Sequence, residues 1–138
     1  MAQALILDAE ALNALAHPGR RGVLIERARA ILTVAREQRA LVRVPAPVLA
    51  EVCRGPRFDA AIHHVLAGRG IGVCELSRAM AERAGALLAK ARLSSQHAVD
   101  AFVVATALEF ESAVIATGDP TDIKRLAGGY GKVKVLAL

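Results

Sequence analysis

The chain has no tryptophan, one tyrosine and three phenylalanines, so its core has to be assembled from Ala, Val, Leu and Ile. Cysteine is scarce as well. Cys53 and Cys74 form no CxxC pair and are too few for a disulfide framework, which fits a reducing cytoplasm. Cys53 reads as a small buried hydrophobe. No apolar run reaches the roughly eighteen residues that a membrane span needs, so no membrane association is expected. The start, MAQALILDAEALNAL, lacks a basic region and carries Asp8 and Glu10 inside its apolar stretch, unlike a signal peptide. The first apolar run is not followed by a Gly-rich turn, which excludes a dinucleotide-binding start. Blocks of like charge, low-complexity tails and internal repeats are also missing.

What is present is hydrophobic: 54% of 138 residues, with eleven Gly and five Pro. That describes one domain, residues 1–138, with a single core. Lys and Arg number 18 against 13 Asp and Glu, a net charge of +5. Such a balance suits a polyanionic partner. A GC-rich genome gives the same bias, since fourteen of the 18 bases are Arg and Ala is abundant.

Strands and helices alternate along the chain. Ala4–Leu7 (ALIL) is a continuous apolar run, hence a buried strand. A helix over Glu10–Ala16 stops at His17-Pro18-Gly19, and a longer one runs from Arg20 to Arg39, its Leu24, Ala28, Ile31, Leu32 and Ala35 at three- and four-residue steps. LVRV (Leu41–Val44) is a second strand closed by Pro45. PVLAEVC is a short helix with Pro47 in its first turn, ended by Gly55-Pro56. Phe58–Leu66 is helical, Gly68–Gly70 a turn, and IGVC a third strand. Ser77 caps a helix reaching Arg92, and LSSQ leads into HAVDAFVVATALEFE, a helix from His97 to Glu111 that is apolar almost all round. AVIA (Ala113–Ala116), the short helix DPTDIKRLA and the terminal strand VKVLAL complete the order. Such alternation implies right-handed crossovers and a mainly parallel sheet covered on both faces, a three-layer α/β/α sandwich.

In these folds ligands bind outside the carboxyl ends of the strands. Asp8 directly follows ALIL, and Asp119 follows AVIA after the turn Thr117-Gly118. Glu51 lies in the helix straight after the second strand. Asp100 opens a helix whose N-terminus points back to the same sheet edge. All four can meet there. Singly, each has an ordinary explanation. Asp8 and Asp119 could cap helices, Asp100 could favour a helix dipole by ~0.3–1 kcal/mol, and Glu51 could be solvated. Glu51 and Asp100 fit those explanations worst, being set in apolar sequence where an unpaired charge is expensive. Two carboxylates about 4 Å apart repel by about 4 kcal/mol at an effective dielectric near 20. A four-acid site therefore calls for protons or hard divalent cations, Mg²⁺ or Mn²⁺, and supports metal-assisted hydrolysis of a phosphodiester.

The stretches ALILDAEAL, VPAPVLAEVCRG, HAVDAFVVATALE and VIATGDPTDIKRLA, in that order, resemble the four acidic motifs of PIN-domain ribonucleases, most closely the VapC-type toxins of bacterial toxin–antitoxin pairs. The resemblance implies Mg²⁺- or Mn²⁺-dependent hydrolysis of single-stranded RNA. It makes Asp8 and Asp100 the main metal ligands, with Glu51 and Asp119 completing the set. Thr117 matches a hydroxyl residue that orients water or phosphate, and Asp122 is an auxiliary acid or a solvated one. It also implies a small antitoxin, whose C-terminal segment covers the active-site groove, and a homodimer or a toxin–antitoxin hetero-oligomer.

The chain departs from the commonest family pattern after the first acid, where Ala9-Glu10 replaces Thr or Ser, and Glu10 can point in or out. Arg54 and Arg57, just past Glu51, lie where substrate phosphate could pass or are ordinary helix-surface arginines. Setting aside the four acids leaves nine against 18 bases, a basic rim suited to RNA. His63-His64 cannot share a helix face, and His97, three residues before Asp100, can line the pocket but reads first as a helix-start or core residue. Dehalogenase-like phosphatases need a second Asp where Glu10 stands, and receiver domains need an Asp where IGVCELS offers Glu75. The surviving alternatives are a PIN-like module that binds RNA or protein without cutting, and a housekeeping RNA-processing nuclease.

Overall fold

The run of small branched residues at the start does become the centre of a sheet. A computed structural model describes residues 3–20, 22–68 and 70–138. In it β1 (Gln3–Leu7) lies between β2 (Leu41–Pro45) and β4 (Ser112–Thr117), with β3 (Ile71–Cys74) and β5 (Val133–Ala137) at the edges. All four pairings are parallel, in the order β3-β2-β1-β4-β5. Register places Leu7 opposite Ala116 and Ile6 opposite Arg43. The carboxyl ends of β1 and β4 therefore stand side by side. Strand order reverses between them, which is where open parallel sheets leave a crevice.

Helices α1 (Ala9–Ala16), α2 (Gly22–Glu37), α3 (Ala46–Val52) and α4 (Pro56–Gly68) connect β1 to β2 and β2 to β3. Right-handed crossovers place them on one face, where α1 packs on α2, α3 and α4. On the other face α5 (Arg78–Ala91), α6 (Ala98–Ala107) and α7 (Pro120–Ala127) pack on one another. The expected three-layer α/β/α sandwich is present, and its sheet is wholly parallel. The core is aliphatic, built from Ile6, Leu12, Val44, Val103, Ile115 and their neighbours. Among the described residues no helix is long and apolar enough to cross a membrane.

Helix α6 lies across β1, β2 and β4, and Ala101 and Val103 to Ala107 are all buried. It ends four residues before the expected Glu111. Lys132 Nζ explains the stop, donating at 2.8 Å to the carbonyls of both Leu108 and Phe110 and satisfying the end of the helix. Helix α2 is shorter than Arg20–Arg39. Pro18–Arg20 form a 3₁₀ turn before it, and Arg39 adopts a left-handed φ of 58° after it, where the Ala40 N–H closes on the Ala35 carbonyl. Arg21, inside the expected helix, and Arg69, inside the expected turn, lie outside the described residues. Gly55-Pro56 does not end α3, which stops at Val52. Gly55 takes φ +124°, which favours glycine, and Pro56 opens α4. Asp59 Oδ1 ties that junction by accepting from the N–H groups of Arg54 at 2.7 Å and Gly55 at 3.2 Å.

Candidate active site

Asp8 is the first residue past β1 and the N-cap of α1, its Oδ1 accepting from the Ala11 N–H at 2.9 Å. The ordinary capping explanation holds for this residue, yet it does not use up the carboxylate. Oδ2 reaches across the switch point to the Gly118 N–H at 3.2 Å, and the Thr117 hydroxyl donates to the same carboxylate. Thr117, the last residue of β4, is completely buried. Its Oγ1 accepts in turn from the Asp119 N–H at 2.9 Å. The hydroxyl expected to meet water or phosphate is thus engaged inside the protein, joining Asp8 to Asp119.

Asp119 occupies the N-cap of α7 with Pro120 behind it, but its side chain makes no capping hydrogen bond. The carboxylate faces instead a cleft of about 280 Å³, whose walls include Asp8, Glu10, Glu51, Asp100 and Asp119. Glu51 arrives from the last turn of α3, which packs against α6, and Asp100 from the first turn of α6. Val99 and Val103 supply an apolar wall beside Asp100. The four acids read from the sequence therefore open into one cavity. Glu10 joins them. A Cβ on Gly118 would stand 2.4 Å from Glu10 Cγ, so glycine is what lets the Glu10 side chain cross the turn towards the cleft.

The electrostatics record this crowding. Burial raises the Asp8 pKa above its ordinary value against the opposing hydrogen bonds from Thr117, Ala11 and Gly118. Asp100 is pushed up to about 6, first by burial and then by the charges of Asp119, Asp8, Glu51 and Asp122. A carboxyl that keeps its proton so far above the usual range marks a site short of positive charge.

A second cluster adjoins the first. His97 stands at the N-cap of α6 without a side-chain capping bond, and its Nδ1 lies 3.4 Å from Asp122 Oδ2 in the first turn of α7. Donor atoms of His97, Asp100 and Asp122 lie within 4.8 Å of one another. The sequence leaves His97 either lining the pocket or serving as a helix-start or core residue. Its three-residue spacing from Asp100 was the available signal, and only the fold brings Asp122 to meet it. The arginines behave differently. The Arg54 guanidinium turns back onto the carbonyls of Ala50 at 2.8 Å and Cys53 at 2.6 Å, capping α3, and neither Arg54 nor Arg57 lines the cleft. His63 and His64 are exposed on α4.

Several hard oxygen donors, with an imidazole at one side, converge on a pocket that holds an excess of negative charge. This donor set fits a divalent cation. No curated protein matches the chain. The family model for the PIN domain matches residues 5–129, a span that includes β2, β3, β4, most of β1 and every acid of the cleft. PIN domains are generally nucleases that use divalent metals. The parallel five-stranded sandwich, the acids at its switch point and the match over nearly the whole chain agree, and the chain belongs to the PIN domain family.

Proposed function

We propose that the protein is an endoribonuclease dependent on Mg²⁺ or Mn²⁺, the toxin of a type II toxin–antitoxin pair, cutting single-stranded RNA at the carboxylate cleft. One observation carries the reading: Asp8, Glu51, Asp100 and Asp119, from four separate segments, line one cavity in which Asp100 is pushed up to about 6 by burial and by the other acids. A protein that merely bound RNA would gain nothing from acids that repel phosphate. In this reading Asp8 and Asp100 hold the cation, and Glu51 and Asp119 complete the set. When bound, the cation supplies a nucleophilic water at neutral pH and neutralises charge on the phosphodiester. Asp8 is held rigid by two backbone N–H groups, and Thr117 orients Asp8 and Asp119 together. Val99 and Val103 limit water on one side. Asp122, paired with His97, adds negative charge at the rim. A small antitoxin covering this groove, and a homodimer, belong to the same proposal, which the order and wording of the four acidic motifs support. A cytoplasmic location is part of the same proposal.

The test is cleavage of single-stranded RNA with Mg²⁺ or Mn²⁺, compared with the same reaction in chelator. The expected result is metal-dependent cutting that Asp100→Asn lowers by more than about 100-fold, since even outer partners of metal ligands are worth roughly 10–100-fold. Cutting that persists in chelator, or an Asp100→Asn variant as active as the parent, would overturn the metal mechanism. Growth arrest on expression, relieved by a small protein encoded beside this gene, separates the toxin from a housekeeping RNA-processing enzyme.

A further inference from the structure

Beyond the acidic cleft the charge reverses sharply. Residues 123–134 contain Lys124, Arg125, Lys132 and Lys134 and no acid, and residues 86–98 contain Lys90 and Arg92 and no acid. The ends of α5 and α7 meet here around a second cavity of about 280 Å³, lined by Lys90, Arg125, Gly128, Gly129 and Tyr130 over a floor that includes Leu126. Tyr130 is the only tyrosine of a chain poor in aromatics, and the residue is left 38% exposed instead of joining the core. Lys90 Nζ lies 5.7 Å from the ring centroid, a cation–π arrangement. A Cβ on Gly129 would come within 3.1 Å of that Nζ, so the glycine keeps room around the ammonium. Across the cavity Arg125 Nη2 donates to the Ala91 carbonyl at 2.9 Å, which fixes the guanidinium while leaving it further N–H donors.

Two cations, Arg125 held by its hydrogen bond and Lys90 exposed over the ring, form with the glycine turn the combination that single-stranded nucleic acid uses: phosphate on the charges, a base on the ring. An acidic peptide would use the cations and leave the ring without a role. The cavity also lies at the far end of the helix that begins at the cleft. Asp119 and Arg125 sit at opposite ends of α7, about 9 Å apart along the helix axis at 1.5 Å per residue.

We propose that this cavity is a subsite for single-stranded RNA leaving the cleft, with Lys90 and Arg125 holding backbone phosphate and Tyr130 stacking on a base. The choice of RNA as the ligand rests on the ribonuclease reading above, but the subsite can be tested without cleavage.

With one tyrosine and no tryptophan, the emission of this chain reports on this cavity alone. A short, mixed-sequence, single-stranded oligoribonucleotide is titrated in EDTA, following tyrosine emission corrected for absorbance and the anisotropy of a labelled strand. The expected result is saturable quenching with the same midpoint as the anisotropy. Tyr130→Ala should weaken binding about tenfold and Tyr130→Phe should retain it, because stacking needs the ring and not the hydroxyl. Lys90→Ala with Arg125→Ala should weaken binding and lower the log–log salt slope by about 1.4, two contacts at roughly 0.7 each. Circular dichroism checks each fold, and Lys90→Gln with Arg125→Gln replaces any alanine pair that fails it. Affinity and salt slope unchanged in folded variants would overturn the subsite. So would a polyglutamate peptide that binds as tightly and displaces the RNA, which would assign the patch to a protein partner. RNA that binds through these residues and is never cut with any metal leaves the subsite standing and removes the ribonuclease reading.

Discussion

The Gly118 N–H donates to Asp8 Oδ2 at 3.2 Å, a hydrogen bond that joins the carboxyl ends of β1 and β4 across 110 residues. The parallel register, with Leu7 opposite Ala116, brings the two residues together. Gly118 has no left-handed φ, so its glycine is required by space and not by backbone conformation. A Cβ there would stand 2.4 Å from Glu10 Cγ and 2.7 Å from Glu10 Cβ, too near the backbone for a simple rotamer change to relieve.

Gly118→Ala should therefore destabilise the fold by roughly 1–3 kcal/mol, the usual cost of overfilling a tight contact. It should also loosen the hold on Asp8. Gly118→Ala/Glu10→Ala removes Cγ but keeps the Cβ at 2.7 Å, so it should return only part of the loss. Urea denaturation of both single variants and the pair measures this coupling. Equal stabilities of the single and double variants would show that the turn yields by another route.

The pH response of the protein in chelator follows from Asp100. Its pKa rises from 3.8 unfolded to about 6 folded, so between these values the folded state binds more protons. Stability from this group should fall as pH rises from about 4 to about 6 and then level off. Asp8, also raised by burial, acts in the same direction. Asp100→Asn should flatten the profile and, at pH 7, stabilise the metal-free protein by roughly 1 kcal/mol once solvent screening of this half-buried group is allowed for. Thermal melts across that range read the slope. A parent profile that rises towards pH 7 with the same slope as the variant's would contradict it.

Metal binding should show the opposite trend. Below about pH 6 the cation has to displace a proton from Asp100, so affinity for Mn²⁺ should decline steadily as pH falls through that value. Calorimetric titration at two pH values, in buffers of different ionisation enthalpy, should detect the released proton at pH 5.5 and little release at pH 7.5.

Much of this was legible in the residues. ALIL reads as a buried strand and IGVC and AVIA as strands, although IGVC proves to be an edge strand with Val73 exposed, and an apolar helix with Asp100 at its start belongs on the sheet with that acid near an edge. Each of these rests on local periodicity. The features the sequence hid depend on distance in space. His97 meets Asp122 only because α6 and α7 begin at the same sheet edge. Glu10 turns inward because Gly118, more than a hundred residues away, leaves it room. The place of Arg54 after Glu51 leaves open a phosphate contact or an ordinary helix-surface role, and the unsatisfied carbonyls at the end of α3 are what its guanidinium meets. The end of α6 is hidden in the sequence for the same reason, since Lys132 closes it from a distant loop.

Thr117 gives the sharpest separation of positioning from contact. It is completely buried, and its one hydroxyl both donates to Asp8 and accepts from the Asp119 N–H at 2.9 Å. Thr117→Val preserves shape but leaves the Asp119 N–H and one side of the Asp8 carboxylate unpartnered. The expected cost is about 1–3 kcal/mol of stability, as for other buried polar groups that lose a partner. Two candidate ligands would then be less firmly aimed, and Mn²⁺ affinity should fall roughly 10–100-fold, the range for partners that orient metal ligands. Thr117→Ser keeps the hydroxyl and should restore affinity while still losing a buried methyl. If Thr117 touched substrate instead, Thr117→Val would raise KM for RNA with Mn²⁺ affinity unchanged. Comparing calorimetric metal binding with cleavage kinetics for the two variants distinguishes these outcomes.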